Sequence, residues 1–327
     1  MGCKTCPKLN TQGKYTNPRE YYDFVRDGWY KNVDFSSMAK QHKMNIKTLE
    51  AVEKWRENTE RPISVLLVHG SGRAPAGCAK EMSNSRMLLE EGFDRAKKEF
   101  EGDIDDNRLI LNEMVIEDCN CCVSSASALC NFSCTCYPAD DMTVQAYPML
   151  LWADVILVST GVNQSMPNSR LVKFFQRMIS LDGGYFIEDL PVKDEAYKDR
   201  MIKLSQDKPV YDQRLFGRVA GYIITSKDYL NEHEDGVPEK KEFVDYIQGT
   251  AGAMGHNLKD YGYFHPETWY FMAAADADQE YSNDKTFYDE EKFYNGAKKV
   301  VLSALNMAKD FRVNPPSFKG GGRVNRT

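Results

Sequence analysis

Six of the nine cysteines fall within one short stretch: Cys119, Cys121, Cys122, Cys130, Cys134 and Cys136. Two more, Cys3 and Cys6, form a CxxC at the start. Thiolates this close together can ligate zinc or an iron–sulfur cluster, or work as a redox dithiol. In a small secreted domain such spacing would suggest disulfides, but 327 residues are enough to bury a core without them. Cys119, Cys122, Cys130, Cys134 and Cys136 are therefore the candidate metal ligands. A set of reduced, partly buried thiols is the plainer alternative. The five histidines (His42, His69, His233, His256, His265) show no HExxH pairing or other metal spacing and read as structural or solvated.

A second group of residues could hold an anion. His69-Gly70-Ser71-Gly72-Arg73 follows an apolar run, and Ser83-Asn84-Ser85 opens a helical pattern. A loop that runs from a strand into a helix presents free backbone N–H groups and the positive end of the helix dipole. Gly70 and Gly72 allow close backbone approach, the serines and Asn84 supply donors, and Arg73 supplies charge. The loop matches neither GxxxxGK[ST] nor GxGxxG, since Pro75 stands where the third glycine belongs. A hydroxyl-rich loop of this kind points to a flavin monophosphate rather than a dinucleotide. A structural turn is the plainer reading of the loop by itself.

The elements that must position these residues alternate. Ile63–Val68 reads as a buried parallel strand, followed by a helix with Leu88, Leu89, Phe93, Ala96 and Phe100 on one face. A second strand is expected at 109–111 or 114–116, a helix from about Asp140 to Trp152, and a third strand at Asp154–Val158. The pattern continues with a helix over 171–179, a strand at Val219–Ile224, and a helix around 243–247. A fifth strand between Tyr261 and Met272 and a closing helix near 290–309 complete it. Alternation of this kind implies a doubly wound, five-stranded parallel sheet. Three of its strands run into turns rich in Gly, Ser and Thr: Ser71, Thr160-Gly161 and Thr225-Ser226. Ligands of such sheets bind beyond the C-terminal strand ends.

Residues 1–60 are polar and read as a helical extension, with 61–327 as the main domain carrying the cysteine-rich loop 119–136. A faint helix-turn-helix pattern over 37–49 lacks the basic field that nucleic acid demands, because the formal charge is −6. Apolar runs such as Val155–Val158 are far too short to span a bilayer, and the start lacks the apolar core of a signal peptide. A soluble, cytoplasmic protein without membrane or nucleic-acid partners is expected.

The motifs resemble those of the NADPH-dependent FMN reductases and iron–sulfur flavoproteins, a flavodoxin-like family. Gly70-Ser71-Gly72-Arg73 with Ser83-Asn84-Ser85 is similar to the family's phosphate loop. Cys136-Tyr137-Pro138-Ala139-Asp140-Asp141-Met142 resembles the Cys-x-x-x-Asp-Asp-Met after its cysteine cluster. Asp154–Gly161, leading to Leu171–Arg177, resembles its third strand, flavin loop and following helix. The likeness runs from about Ile63 to Phe311. It implies that Ser71, Arg73, Ser83, Asn84 and Ser85 hold an FMN phosphate. Thr160, Gly161, Val162 and Asn163 would border the ring, with Thr225 and Ser226 at its far edge. Cys119, Cys122 and Cys136 match three ligand positions of a [4Fe–4S] cluster, whereas the seven residues between Cys122 and Cys130 break the usual spacing. Two further departures are the 74–82 insertion and Thr160–Asn163 in place of the family's Pro and aromatic.

The resemblance implies an NAD(P)H-dependent flavin oxidoreductase in which the cofactor carries the chemistry and no side-chain acid or base is obligatory. A small molecule or protein would accept the electrons, and a homo-oligomer is expected by analogy. The alternatives are a non-enzymatic electron carrier on the same fold and a regulatory or scaffold protein that has kept the fold.

Overall fold

The computed structural model describes residues 48, 51–52, 54–72, 82–121, 134, 137, 140–163, 166–182, 214–226, 251–259, 261–274 and 291–317. The helix-turn-helix pattern over 37–49, save Thr48, and the helix near 243–247 lie outside them, as do Arg73, Cys122, Cys130 and Cys136.

Strand β1 (Ile63–His69) is buried along its whole length, as a mainly aliphatic strand covered on both faces requires. Helix α1 (Asn84–Glu99) follows, then strand β2 (Ile104–Ile110). A five-residue π-helical turn (Met142–Ala146) leads into α2 (Tyr147–Trp152). Pro148 has no N–H to bond back to Val144, and the turn before it widens accordingly. Strand β3 (Val155–Asn163) turns back through the two-residue β4 (Met166–Pro167) into α3 (Ser169–Arg177) and the short α4 (Ile179–Asp182). Strand β5 (Arg218–Ser226), a helix over 251–259, β6 (Tyr263–Phe264), β7 (Tyr270–Ala274) and α5 (Glu291–Val313) complete the described chain.

The sheet runs β2-β1-β3-β5 and ends in β6 and β7, which both pair with β5. All of these pairings are parallel, and only the β3–β4 hairpin is antiparallel. This is the expected flavodoxin-like order. It differs from the five-strand expectation in having seven strands among the described residues. The fifth position is divided, because Pro266 lies in the 265–269 gap and cannot donate to a ladder. Strand β2 begins at Ile104, earlier than expected, since IDDNRLI is a polar edge strand with little apolar signal.

Alternate residues of the central strands face two cores. Val65, Leu67, Val155 and Leu157 pack under α1 and α5, while Leu66, Val68, Ile156 and Val158 pack under α2 and α3. Helices α1 and α5 touch at Gly92, where a Cβ would sit 2.6 Å from the Ala297 Cβ. At the N-terminal end of β3, buried Asp154 accepts from Arg61, Arg56 and Arg312. That cluster ties the segment before β1 and the end of α5 to the sheet. No helix among the described residues is long and apolar enough to cross a membrane.

Candidate functional site

The chain leaves β1 toward β2 on one side of the sheet and β3 lies on the other, so a crevice opens between the C-terminal ends of β1 and β3. The structure brings the residues of the three expected turns to this end, but β3 and β5 run further than expected and hold Thr160–Asn163 and Thr225-Ser226 within the strands. Gly161 and Thr225 are direct register partners across β3 and β5, and Thr160 and Thr225 are both buried. Thr160 Oγ1 donates to the Gly161 carbonyl at 3.1 Å and accepts from Asn168 N–H at 3.4 Å. Val162 and Asn163 form the hairpin with Pro167 and Met166, and Ser226 pairs with Ala274. Asn168 caps α3, its side chain accepting from Arg170 N–H at 3.0 Å. The first loop lies on this cap: a Cβ on Gly72 would stand 2.8 Å from Asn168 Nδ2, and one on Gly70 2.9 Å from the Leu171 side chain. Ser71 is therefore held beside the β3 turn.

The N-terminus of α1 supplies the other wall. Ser83 is its N-cap and accepts from Arg86 N–H at 3.3 Å. Asn84 is half-buried, and the buried Ser85 hydroxyl lies 3.5 Å from that of Ser83. No acidic residue stands in the first turn, so nothing on the helix opposes an anion there.

Beneath these loops lies a chain of polar contacts. His69 and Ser159 are register partners, and His69 Nδ1 is 3.0 Å from the Ser159 hydroxyl. His69 Nε2 is 3.0 Å from Glu90, whose carboxylate takes three contacts of 2.9, 3.0 and 2.9 Å from Arg108. Arg108 also binds Asp106, which holds Lys97. Burial would raise the Glu90 carboxyl, but bonds from His69 and Arg108 hold it down to about 2. An ionised Glu90 only accepts, so Nε2 donates to it. Burial lowers the His69 pKa, against the pull of Glu90. The ring is then neutral, and Nδ1 accepts from the Ser159 hydroxyl. Ser159–His69–Glu90 has the connectivity of a nucleophilic triad, but Ser159 is wholly buried and no substrate reaches its oxygen.

The cysteine segment is stapled at both ends by the two aspartates that follow it. Asp141 accepts from Val115 N–H at 2.6 Å and returns its own N–H to the Val115 carbonyl at 3.1 Å. Asp140 accepts from the N–H groups of Glu117 and Thr143 and pairs with Arg177 at 2.6 Å. Arg177 also reaches the Glu117 carbonyl at 2.9 Å and stacks on Tyr137. Although burial disfavours its charge, Tyr147 and Asp140 raise the Arg177 pKa. Between these staples Cys121 adopts a φ of 52° and its N–H points at Cys119 Sγ, 3.4 Å away. Burial pushes the Cys119 thiol up, and neighbouring Cys121 and Cys134 add to the shift. No three His, Cys, Asp or Glu side chains among the described residues come together as a metal site.

Glu90 and Arg108 carry no sequence signal of their own, Ser159 is visible only as the first polar residue after Val158, and Asn168, between Pro167 and a helical pattern, marks an N-cap. His69 is visible only as the polar residue that ends the β1 run. A groove of about 400 Å³ beside Trp55 and Trp152 lies at the opposite end of the strands and shares no residue with the crevice.

No family model matches the chain, and no curated protein matches it. Among solved structures the chain is similar to RosB with the bound intermediate 8-demethyl-8-formylriboflavin-5'-phosphate. That likeness has 13% identity and a TM-score of 0.51, over 78% of this chain and 82% of that one. It is also similar to apo NADH:FMN oxidoreductase (EMOB), at 12% identity over 78% and 91% of the two chains, TM-score 0.41. NAD(P)H:quinone oxidoreductase from Methanothermobacter marburgensis matches at 13% identity over 74% and 96%, TM-score 0.43. The first likeness extends to the fold, which is α/β and flavodoxin-like. The other two superpose too loosely to add to it.

Proposed function

We propose that this chain binds FMN in the crevice between β1 and β3 and acts as an NAD(P)H-dependent oxidoreductase. The observation that carries this reading is the convergence of hydroxyl-bearing residues at the C-terminal ends of three neighbouring strands, Ser71 after β1, Thr160 in β3 and Thr225 in β5, beside the point where the strand order reverses. The donor set suits a flavin phosphate: the α1 N-terminus free of acids, Ser71, Ser83, Asn84 and Ser85, with Arg73 next to Gly72 in the sequence. Ser83 already accepts from Arg86 N–H as the cap of α1, so it would serve the phosphate by donating its O–H. Thr160–Asn163 would border the ring and Thr225-Ser226 close its far edge. The riboflavin phosphate bound by RosB, on a similar fold, supports the same class of ligand.

Bound there, FMN would supply hydride acceptance from a nicotinamide and onward electron transfer. The chain's own residues bind and orient: Asn168 and Leu171 support the first loop, and Thr160 fixes the second. We further propose that the cysteine segment holds a metal–thiolate centre, an iron–sulfur cluster drawn from Cys119, Cys122, Cys130, Cys134 and Cys136. The N–H of Cys121 turned toward Cys119 Sγ would hydrogen-bond that sulfur in a cluster. A small molecule or protein accepts the electrons, and the working unit is a homo-oligomer in the cytoplasm.

The test is an absorption spectrum of protein purified without oxygen, with iron and acid-labile sulfide assayed on the same sample. Bands at about 375 and 450 nm mark bound flavin, and about four irons per chain mark a cubane cluster. Flavin without iron removes the cluster and keeps the reductase. If no flavin is bound even after FMN is added back, the reading is wrong.

A further inference from the structure

We propose that His69 is a positioning residue of the crevice. Oriented by Glu90, it accepts a hydrogen bond from the Ser159 hydroxyl and thereby fixes the loop after β1 against the end of β3. The assignment rests on the FMN reading above, since the ligand lies between those two loops.

His69 and Ser159 face each other across β1 and β3 at the last register pair before the strands part. The adjoining backbone is bonded at the same level, Gly70 N–H donating to the Ser159 carbonyl at 2.7 Å. One residue pair thus sets the height and the direction in which the chain leaves β1 beside the C-terminal part of β3. Its neighbours on that face, Leu67 and Leu157, are aliphatic, as are nearly all central strand positions. A polar pair exposed by only 2% and 0% is costly to bury unless every hydrogen bond is made. Here each is made, and each has a direction. Arg108 keeps Glu90 a pure acceptor, Glu90 accepts from Nε2–H, and Nδ1 is left to accept from the serine. An aliphatic pair would fill the space without any such direction, which points to placement of the loops as the role of these two side chains.

The charged groups facing His69 are Glu90, Arg86 and Arg108. A second proton on the ring would turn Nδ1 into a donor and force the Ser159 hydroxyl to reverse, so the arrangement depends on the ring remaining an acceptor at Nδ1.

The experiment titrates FMN into the full-length chain, following quenching of flavin fluorescence, beside thermal unfolding of the flavin-free protein. In His69→Asn the amide oxygen replaces Nδ1, keeping the Ser159 contact and losing Glu90. In His69→Gln the amide reaches Glu90 and leaves Ser159 without its acceptor. Both variants are expected to unfold at similarly lowered temperatures. The FMN dissociation constant should stay within about threefold of wild type in His69→Asn. In His69→Gln and in Ser159→Ala it should rise about tenfold, the equivalent of one hydrogen bond. Equal losses in the Asn and Gln variants, or unchanged affinity in Ser159→Ala, overturn the assignment while leaving the FMN reading intact. A wild-type chain that binds no FMN overturns the functional reading and this assignment with it.

Discussion

Arg61 and Asp154 meet in a two-point ion pair, Nη1 to Oδ2 at 2.5 Å and Nη2 to Oδ1 at 2.7 Å. Asp154 also accepts from Arg56 at 3.1 Å, from Arg312 at 3.4 Å and from the Ser64 N–H at 3.1 Å. Burial alone would raise its pKa, but Arg61 and Arg56 hold it below the usual carboxylate range. Close by, burial lowers Arg218 to about 9, and its hydrogen bonds go to the carbonyls of Ala153, Leu151 and Arg214. One carboxylate therefore balances a cluster of guanidinium groups at the base of β3. Asp154→Ala is expected to cost about 3–5 kcal/mol, because it leaves buried cations without a counter-charge. Urea unfolding of the variant measures this, and a loss under about 1 kcal/mol, the range of a surface pair, would refute it.

Asp140→Ala should act on the cysteine segment. It removes the partner of Arg177, which is itself almost wholly buried, together with the acceptor for Glu117 and Thr143 N–H. A loss of about 3–5 kcal/mol in stability is expected for breaking such a pair. Cys119 should then react faster with a thiol reagent, because one staple of its loop is gone. Unchanged thiol reactivity in a destabilised variant would mean that Asp141 alone holds the segment.

Gly92 lets α1 and α5 approach to within a methyl's width. A Cβ there would lie 2.6 Å from the Ala297 Cβ and 3.0 Å from its carbonyl carbon, so backbone must move. Gly92→Ala gains helix propensity of about 1 kcal/mol and loses about 1–3 kcal/mol to overpacking. Net destabilisation in thermal unfolding is expected, and partial rescue by Ala297→Gly is the check on the cause.

Acid should weaken the fold in two stages. Burial lowers His69 from its ordinary 6.5 and lowers His265 to about 4, with Lys259 adding to the latter. Both bind protons more tightly when unfolded, so their contribution is complete above pH 6.5 and is lost as pH falls through the folded values. Glu90 extends the loss, its contribution being present above 4.5 and disappearing as pH drops toward about 2. Urea midpoints measured across this range should fall on acidification. His265→Gln should flatten the upper stage, and a variant as pH-sensitive as wild type there would assign that stage to other groups.

Much of the fold was legible in the sequence for a simple reason. Ile63–Val68, Val155–Val158 and Val219–Ile224 are short apolar runs that only a strand covered on both faces can bury, and the helices between them have one apolar side. Edge elements were harder to read. In β2 the pattern IDDNRLI hides a strand, because one side faces solvent and burial no longer constrains residue type. Division of the fifth strand at Pro266 depends on which N–H groups face β5, a matter of register that no local pattern contains.

By itself the sequence determined the kinds of chemistry available: hydroxyls and glycines after three strands, and thiols crowded before an Asp-Asp pair. Composition and spacing can state that much, since donors and ligands are properties of residues. Tertiary structure decided which of them meet. Gly161 lies beside Thr225 only because β3 and β5 pair in that register, and Gly70 rests on Leu171 only because α3 returns across the loop. His69 carried no chemical signal along the chain. It became the centre of a directed hydrogen-bond chain because Ser159 is 90 residues away and Glu90 21 residues away in sequence, yet each comes within 3.0 Å of the ring. Contacts of that separation arise from packing, which local sequence does not encode.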